Sequence, residues 1–356
     1  TGGTTGMPKG VLWRQADAFV AALGGKEATL EEIASTAVGG MRFLPSAPFM
    51  HGAGHWIAMT ALHGGHPVII QDTTASLDCD DIWRCVEREK VSFLQIVGDA
   101  FGRPLLDQLA KQTYDTSSLM IMLSGGAALS ASLKAEFLEH IPQLMLIDGV
   151  GSSEAGGQLS HVSTKDSGAS TGTFTAAAGS VVLDEDLTTV LPPGHDGTGW
   201  LAKAGRIPLG YFGDAEKTAR TFPTVDDERY SVPGDRARMR EDGVVELLGR
   251  DSVTINSGGE KIFAEEVEHA LMHHPGVYDV VVCGRPSERW GSEVVAIVRL
   301  REGHESTGEA DLLAEAEKHI SRYKLPKAFV FRDEIVRSPA GKADYRWARG
   351  VAAGDA

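Results

Sequence analysis

The chain has 356 residues, of which 42% are hydrophobic and 23% are charged, and its formal net charge at neutral pH is −15. This length suits two domains with a sizeable core, and the acidic balance argues against nucleic acid, which is bound through a surplus of Lys and Arg. No apolar run approaches the roughly 18 residues of a membrane span, and the first residues carry no signal pattern, so we expect neither insertion nor export.

Apolar periodicity predicts alternating helices and strands in the first 150 residues. Helical patterns cover residues 14–23, 80–90, 101–112 and 130–141. Apolar runs that read as strands cover residues 67–70, 91–97, 119–123 and 144–147. Ser130 is a candidate N-cap for the last of these helices, with Pro142 beyond its end. Alternation of this kind predicts an α/β fold with a largely parallel sheet.

The pattern changes twice after these elements. Between residues 164 and 199 the composition shifts to Ser, Thr, Ala, Gly and Pro, which predicts loops and short strands, a small β-rich subdomain. From residue 251 the periodicity predicts helices at 264–274 and 309–323 and strands at 277–283, 293–300 and 328–332. We therefore expect a large domain over residues 1–250 and a small α+β domain over residues 251–356, hinged near Asp251 and Ser252.

The chain opens on a run of glycines and hydroxyls that suits a polyphosphate. The run reads Thr1-Gly2-Gly3-Thr4-Thr5-Gly6-Met7-Pro8-Lys9-Gly10. Closely spaced glycines let backbone N–H groups turn toward an anion, while Thr4, Thr5 and Lys9 add hydroxyl donors and a positive charge. It differs from the Walker A loop, in which Lys directly follows the last glycine and precedes Ser or Thr. Taken alone, the run could also be an ordinary Gly/Thr turn.

Further segments with candidate site residues follow along the chain. They read Pro48-Phe49-Met50-His51-Gly52, Asp148-Gly149-Val150-Gly151-Ser152-Ser153-Glu154, Pro233-Gly234-Asp235, Gly249-Arg250, Gly258-Gly259-Glu260-Lys261-Ile262 and Pro339-Ala340-Gly341-Lys342. In this order, and together with the first loop, they resemble the motifs of the adenylate-forming superfamily, which includes acyl-CoA synthetases, luciferases and the adenylation domains of peptide synthetases. The ending and the Gly-Gly-Glu-Lys-Ile-Phe stretch look most like actinobacterial fatty-acyl-CoA or steroid side-chain acyl-CoA ligases.

This resemblance implies the superfamily's large AMP-binding domain followed by its small mobile C-terminal domain. Family members usually carry a substantial segment before the phosphate loop. We therefore expect this chain to correspond to the C-terminal part of a longer enzyme, with an incomplete sheet. Because uncovered sheet edges invite association, we expect a homo-oligomer or pairing with the missing segment.

The resemblance also implies which residues bind the nucleotide. The phosphates would lie on Thr1, Gly2, Gly3, Thr4, Thr5, Gly6 and Lys9. Adenine would lie along the backbone of Gly125, Gly126 and Ala127. The next binding segment would be Asp148, Gly149, Val150, Gly151 and Ser153, with Ser153 on the α-phosphate. The ribose would be held by Asp235 and Arg250. Val150 replaces the family's tyrosine, so adenine stacking should be weaker, and Pro233 replaces a threonine.

Glu154 is the candidate ligand for Mg²⁺, which is typically held by one or two carboxylates plus substrate phosphates. The alternative is that Ser152-Ser153-Glu154 only starts a helix, with Ser as the cap. His51 resembles the family's gate near the substrate carboxylate. Its neighbours His55, His63 and His66 have spacings that a metal could use, but paired histidines more often satisfy cores and surfaces.

Lys342 follows a Pro/Gly turn and matches the family's catalytic lysine, although most lysines near a terminus are simply solvated. In that role it would bridge the substrate carboxylate and the α-phosphate of ATP. Rotation about the hinge would then withdraw Lys342 and bring Gly258, Gly259 and Glu260 to the site, where coenzyme A attacks.

The predicted function is an AMP-forming acyl-CoA synthetase that uses ATP, Mg²⁺ and coenzyme A to activate a hydrophobic carboxylic acid. The first alternative is an adenylation unit that loads a carrier protein. The second is a non-catalytic nucleotide-binding fragment. The three widely spaced cysteines, Cys79, Cys85 and Cys283, are typical of reduced thiols and predict a cytoplasmic protein.

Overall fold

The computed structural model describes residues 9–338 and 341–354. Within them the chain forms two compact units. The first holds the chain up to Pro233 and again Ala237–Glu246, and the second holds Gly234–Arg236, Leu247–Ser338 and the residues from Lys342 on. We expected the domain boundary after Arg250. In the structure, the chain enters the main segment of the second unit after Glu246.

The first unit alternates helices and strands before it becomes rich in short strands. Its helices are α1 (Gln15–Ala21), α2 (Leu30–Thr36), α3 (Gly52–His63), α4 (Cys79–Glu89), α5 (Gly98–Lys111), α6 (Ala131–His140) and α7 (Ala215–Thr221). Its strands are β1 (Val11–Leu12), β2 (Phe43–Pro45), β3 (Phe93–Ile96), β4 (Ile121–Gly125), β5 (Met145–Ser152), β6 (Gly156–Ser163), β7 (Thr173–Ala176), β8 (Ser180–Leu183), β9 (Val190–Leu191), β10 (Gly199–Lys203), β11 (Gly210–Tyr211), β12 (Thr224–Val225) and β13 (Glu228–Arg229). The chain passes between the units in β14 (Asp235–Met239) and β15 (Val244–Arg250).

The main sheet has eleven strands in the order β2-β3-β4-β5-β6-β7-β15-β14-β10-β8-β9. Strands β2 to β5 are parallel, which confirms the predicted α/β class. The pairs β5–β6, β6–β7, β7–β15, β10–β8 and β8–β9 are antiparallel. The sheet is therefore mixed rather than largely parallel, because β5 and β6 form an antiparallel hairpin and short antiparallel strands follow it.

Helices α4, α5 and α6 cover the parallel strands and form the main core of the first unit. All four residues of β3 are buried, as expected of a parallel strand with both faces covered. Trp83 is fully enclosed in α4, and its indole N–H donates to the carbonyl oxygen of Leu105 in α5 at 2.9 Å. Strands β4 and β5, which carry candidate site residues, thus pack against a layer of helices through a shared core.

The second unit is a small α+β fold around a three-stranded sheet. After a 3₁₀ turn at Asp251–Val253 its elements are β16 (Ile255–Ser257), β17 (Glu260–Ile262), α8 (Ala264–Met272), β18 (Val277–Ser287), β19 (Gly291–Leu300), α9 (Glu309–Ala316), β20 (Ala328–Phe331) and α10 (Tyr345–Ala353). Alternate residues of β18 pack on opposite faces. Val280 and Val282 pack in the core with α8 and α9, and Val281 and Cys283 pack in the core with α10.

Three local expectations differ from the structure. The apolar run at residues 67–70 forms no strand, only a single bridge between Val68 and Phe43. The helix expected over residues 309–323 ends at Ala316. Ser130 occupies the N-cap position of α6, but its side chain makes no capping hydrogen bond. In the described part of the chain, no helix has the length and apolar character needed to cross a membrane.

Candidate functional site

Glu154 lies in the turn that joins β5 to β6, and only 9% of it is exposed. The hydroxyl of Tyr211 donates to Glu154 Oε1 at 2.7 Å, and the hydroxyl of Ser231 donates to the Glu154 backbone oxygen at 2.6 Å. The alternative that Ser152, Ser153 and Glu154 start a helix is wrong, because these residues end a strand and enter a hairpin turn. The carboxylate is instead presented from a turn that is held by two other segments.

The described end of the first loop meets this same turn. Strand β1 pairs antiparallel with β11, which carries Tyr211. The indole N–H of Trp13 donates to the backbone oxygen of Ser153 at 2.9 Å. The structure therefore brings together the exit of the predicted phosphate loop and the predicted metal ligand, about 140 residues apart in sequence. Residues Thr1 to Gly6 lie outside the described part of the chain, and their phosphate contacts stay a prediction.

Lys9 contacts the carboxylate of Asp214, the N-cap residue of α7. This bond to Lys9 is the main reason that the pKa of Asp214 lies below its ordinary value. Sequence reasoning assigned Lys9 to phosphate and gave Asp214 no role. Lys9 thus has a protein partner in this structure, and its contact with phosphate stays a prediction.

The predicted adenine segment ends one strand and adjoins the next predicted nucleotide segment. Gly125 at the end of β4 pairs in register with Gly149 of β5, and Ser124 pairs with Asp148. Gly126 is exposed and Ala127 half-buried just beyond the strand, while Val150 and Gly151 continue along β5. Two bare backbone segments therefore lie side by side at the carboxyl ends of parallel strands, where ligands of open α/β sheets bind.

Asp148 is engaged by the protein itself. Its carboxylate contacts the ammonium of Lys134, which is fully buried and also donates to the backbone oxygen of Ser170 at 2.5 Å. Burial raises the pKa of Asp148, and the adjacent Lys134 opposes that rise. This ion pair gives Asp148 a structural role that needs no ligand, so its place in nucleotide binding stays a prediction.

His51 is the residue before α3 and is half-buried. The histidines near it have backbone partners: His63 Nδ1 lies 2.8 Å from the Leu23 oxygen, and His66 Nδ1 accepts the N–H of Met41 at 3.3 Å. The described residues hold no group of three or more His, Cys, Asp or Glu side chains that could bind a metal. Nothing in this part of the chain supports the metal alternative for the histidines.

In the second unit, the two predicted ribose residues are bonded to each other. Arg250 Nε donates to Asp235 Oδ1 at 3.0 Å, and Asp235 is buried. The N–H of Asp251 donates to the oxygen of Gly234 at 3.0 Å, which fixes the turn before Asp235. One oxygen of this carboxylate is therefore oriented by a guanidinium, an arrangement that suits a hydroxyl donor such as a sugar.

Gly258 and Gly259 form the two-residue turn of the β16–β17 hairpin, and Glu260 begins its exposed second strand. Both glycines have positive φ angles, 61° and 90°, as the favoured type I′ hairpin turn requires. The N–H of Gly258 donates to the oxygen of Trp290 at 2.9 Å. The hairpin tip is thus a fixed feature of the second unit.

Lys342 closes a short loop and exposes its side chain. Its N–H donates to the hydroxyl of Ser338 at 3.3 Å, and the N–H of Ser338 donates to the Lys342 oxygen at 2.8 Å. Pro339 and Ala340 lie outside the described residues. The ammonium is therefore presented from a backbone position that is held by its own loop.

Helix α8 carries a pair of carboxyl groups that sequence reasoning missed. The N–H of Val282 donates to Glu268 Oε1 at 2.8 Å, and the N–H of Arg250 donates to Glu265 Oε1 at 3.3 Å. Burial raises the pKa of Glu265 to about 7 and that of Glu268 to about 8. Glutamates on a helix are almost always exposed, so their spacing gave no signal of this enclosure.

Comparison with known families gives two matches. A profile of the AMP-binding enzyme family matches residues 1–212, and a profile of the AMP-binding enzyme C-terminal domain matches residues 266–342. Together they cover most of both units. They confirm the predicted adenylate-forming superfamily.

Comparison with individual proteins points the same way. The medium-chain acyl-CoA ligase Mig of Mycobacterium avium is 53% identical to this chain over 98% of the chain and 65% of the relative. The 3-oxocholest-4-en-26-oate–CoA ligase of Rhodococcus rhodochrous is 41% identical over the same shares. The chain thus spans about 65% of the length of these relatives. ATP-bound MatB from Rhodopseudomonas palustris is similar in fold, with a TM-score of 0.80 and 24% identity over 98% of this chain and 66% of that chain.

Proposed function

The chain belongs to the AMP-binding enzyme family, and from this membership we propose that it is an ATP-dependent, AMP-forming acyl-CoA ligase. The structural observation that carries the proposal is the meeting of the phosphate-loop exit with the Glu154 turn, through Trp13 and Tyr211. This contact joins a polyphosphate motif to a carboxylate of the kind that binds Mg²⁺.

The reaction has two displacements. A carboxylate oxygen of the acid attacks the α-phosphorus of ATP, the bond to pyrophosphate breaks, and an acyl-adenylate forms. The sulfur of coenzyme A then attacks the acyl carbon as its thiol proton passes to water, and AMP leaves with the bonding electron pair of the acyl–oxygen bond. Both steps concentrate negative charge, so the protein acts by positioning and by electrostatic stabilisation.

Glu154 would hold Mg²⁺, whose chemistry is to neutralise phosphate charge. The residues fit this ion, because Mg²⁺ needs few protein ligands and the carboxylate has one oxygen beyond that bonded to Tyr211. Ser153 and Lys342 would stabilise the α-phosphate, and Asp235 with Arg250 would hold the ribose. His51 would orient the acid.

For the acid, we propose a medium-chain fatty acid or a steroid side-chain acid. The support is in the relatives: the Mycobacterium avium protein is named a medium-chain acyl-CoA ligase, and the Rhodococcus rhodochrous protein is named for 3-oxocholest-4-en-26-oate. We further propose a cytoplasmic location, supported by free thiols at Cys79, Cys85 and Cys283. The expected self-association stays a prediction.

The test is ATP–pyrophosphate exchange with a panel of medium-chain, long-chain and steroid side-chain acids, followed by assay of acyl-CoA and AMP. We expect exchange with at least one of these acids and stoichiometric AMP when coenzyme A is added. Exchange without thioester formation would favour carrier-protein loading. Absence of exchange together with intact AMP binding would favour a non-catalytic nucleotide-binding protein.

A further inference from the structure

Tyr211 is fixed in place around its hydroxyl. Its side chain is 6% exposed, and its backbone N–H donates to the hydroxyl of Thr218 at 2.9 Å. The ammonium of Lys217 lies 4.4 Å from its ring centroid, and the ring of Phe222 lies 6.0 Å away. A phenol held on several sides has little freedom to turn from Glu154.

The turn that carries Glu154 is braced as well. Besides the Trp13 and Ser231 contacts, the ammonium of Lys203 donates to the backbone oxygen of Gly157 at 2.5 Å. The N–H of Ala155 donates to the oxygen of Ser152 at 3.1 Å, which closes the turn. Because both the turn and the phenol are held, the 2.7 Å bond from Tyr211 to Glu154 Oε1 joins two fixed elements.

This bond makes the two oxygens of Glu154 unequal. The phenolic hydrogen of Tyr211 is donated to Oε1, and a cation would be met by the other oxygen, Oε2. Ca²⁺ commonly takes both oxygens of a carboxylate and six to eight ligands at about 2.3–2.6 Å, whereas Mg²⁺ takes six ligands at about 2.0–2.1 Å. A hydrogen bond from Tyr211 to Oε1 opposes binding of a cation by both carboxylate oxygens, and it leaves binding by Oε2 alone unaffected.

We propose that Tyr211 is a positioning residue that makes Glu154 a one-oxygen ligand and so favours Mg²⁺ over Ca²⁺ at the nucleotide phosphates. The inference rests on the proposed function, in which Glu154 binds the metal of the ATP complex. It adds a residue that sequence motifs did not single out, 57 positions from its partner.

The experiment measures equilibrium binding of ATP by calorimetry, without any carboxylic acid, as Mg²⁺ or Ca²⁺ is titrated. The quantity compared is the ratio of the Ca²⁺ midpoint to the Mg²⁺ midpoint. Tyr211→Phe keeps the ring and removes the hydroxyl, and we expect this ratio to fall by roughly tenfold, the scale of one hydrogen bond to a charged group. The ratio should fall mainly because the Ca²⁺ midpoint moves to a lower concentration.

Tyr114→Phe is the matched control. The hydroxyl of Tyr114, a residue only 7% exposed, donates to Asp80 Oδ1 at 2.6 Å, so the variant removes a comparable tyrosine–carboxylate bond from the first unit. Its ratio should equal that of the unmodified protein. Thermal unfolding of both variants checks that they fold.

A second substitution protects the test against misfolding of Tyr211→Phe. Placing 3-fluorotyrosine at position 211 keeps the ring and makes the phenol a stronger donor, so the ratio should rise instead of falling. An equal loss of ATP binding with both metals in Tyr211→Phe, or an unchanged ratio in both substitutions, would overturn the proposal. Failure of the proposed function is separate: Glu154→Gln would then leave the metal dependence of ATP binding unchanged.

Discussion

Glu154 in the first unit and Glu268 in the second are both largely enclosed carboxyl groups, but their surroundings differ. Glu154 sits in a hairpin turn and accepts a phenolic hydrogen at 2.7 Å. Glu268 sits on α8, accepts a backbone N–H at 2.8 Å and the hydroxyl of Tyr345 only at 3.5 Å, and is subject to the like charges of Glu265 and Asp279. A short bond from a fixed donor orients the first, whereas burial and like charge favour protonation of the second.

The difference teaches where to look for chemistry in each unit. A carboxylate oriented at a turn, next to bare backbone at strand ends, suits the proposed cation site. A carboxyl group with a raised pKa beside a second such group makes the free energy of unfolding depend on pH. In the second unit the candidate catalytic group is instead Lys342, which is exposed on a loop.

The largest expected effect comes from Lys342→Ala. Removing one preorganised donor typically costs 10²- to 10³-fold, and we expect ATP–pyrophosphate exchange to fall by about this factor. Acyl-CoA formation from preformed acyl-adenylate and coenzyme A should stay near the unmodified rate, because we propose that the lysine acts only in the first displacement. Lys327→Ala, which removes another exposed lysine of the same unit, is the control. Equal loss in both half-reactions would assign Lys342 to folding or general nucleotide binding.

Glu154→Gln should have the next largest effect. A neutral amide is a poor ligand for a hard cation, so we expect exchange to fall by roughly 10²-fold at limiting Mg²⁺. The amide can still accept the Tyr211 hydrogen bond, so the turn should fold as before. The measurement is the Mg²⁺ dependence of exchange. An unchanged Mg²⁺ midpoint would show that Glu154 does not bind the metal. The proposed functional difference between Glu154 and Glu268 would then be wrong.

How much of this could be read from the sequence depends on the range of the contacts. Strands β3, β4 and β5 were predicted because parallel strands that carry helices on their faces contain apolar runs. Helix α3 was missed, since its Gly, Ala and His residues form no clear apolar stripe. The run at residues 67–70 was overpredicted, because Pro67 has no N–H to donate and only a bridge forms.

The site divides in the same way. Glu154, Gly125 and Gly149 were predicted as site residues from motifs, since glycines and carboxylates at strand ends have a recognisable local pattern. Tyr211 was missed because its bond to Glu154 joins residues 57 positions apart, and a Gly-Tyr pair carries no local signal. The raised pKa of Glu268 depends on how α8 packs on the sheet, which periodicity alone does not give.

Glu268→Gln tests the stored pH dependence. Because the folded-state pKa, about 8, lies above the ordinary value of 4.5, stability from this group is complete below pH 4.5 and is lost as pH rises toward 8. The variant lacks this titration. We expect the unmodified protein to lose up to about 2 kcal/mol relative to Glu268→Gln between pH 6 and pH 7.5, measured by denaturant unfolding.

Glu266→Gln is the control for charge alone on the same helix. Its carboxylate pairs with the ammonium of Lys324 at 2.5 Å, whereas that of Glu268 accepts the N–H of Val282. The same pH-dependent difference in both variants would mean that loss of any carboxylate on α8 is sufficient. The burial of Glu268 would then not be the cause of the pH-dependent stability, and the comparison with Glu154 would lose its basis.

The smallest expected effect concerns Gly259 at the hairpin tip of the second unit. Its φ is 90°, and an added Cβ would meet no atom within 4 Å, so Gly259→Ala should cost only backbone strain, about 1 kcal/mol in denaturant unfolding. Gly303→Ala is matched to it, with a φ of 83° and equally open space. If the hairpin tip meets coenzyme A, only Gly259→Ala should also slow thioester formation, while exchange stays unchanged in both. Equal thioester rates in the two variants would limit the tip to a structural role and leave Lys342 as the second unit's tested contribution to the chemistry.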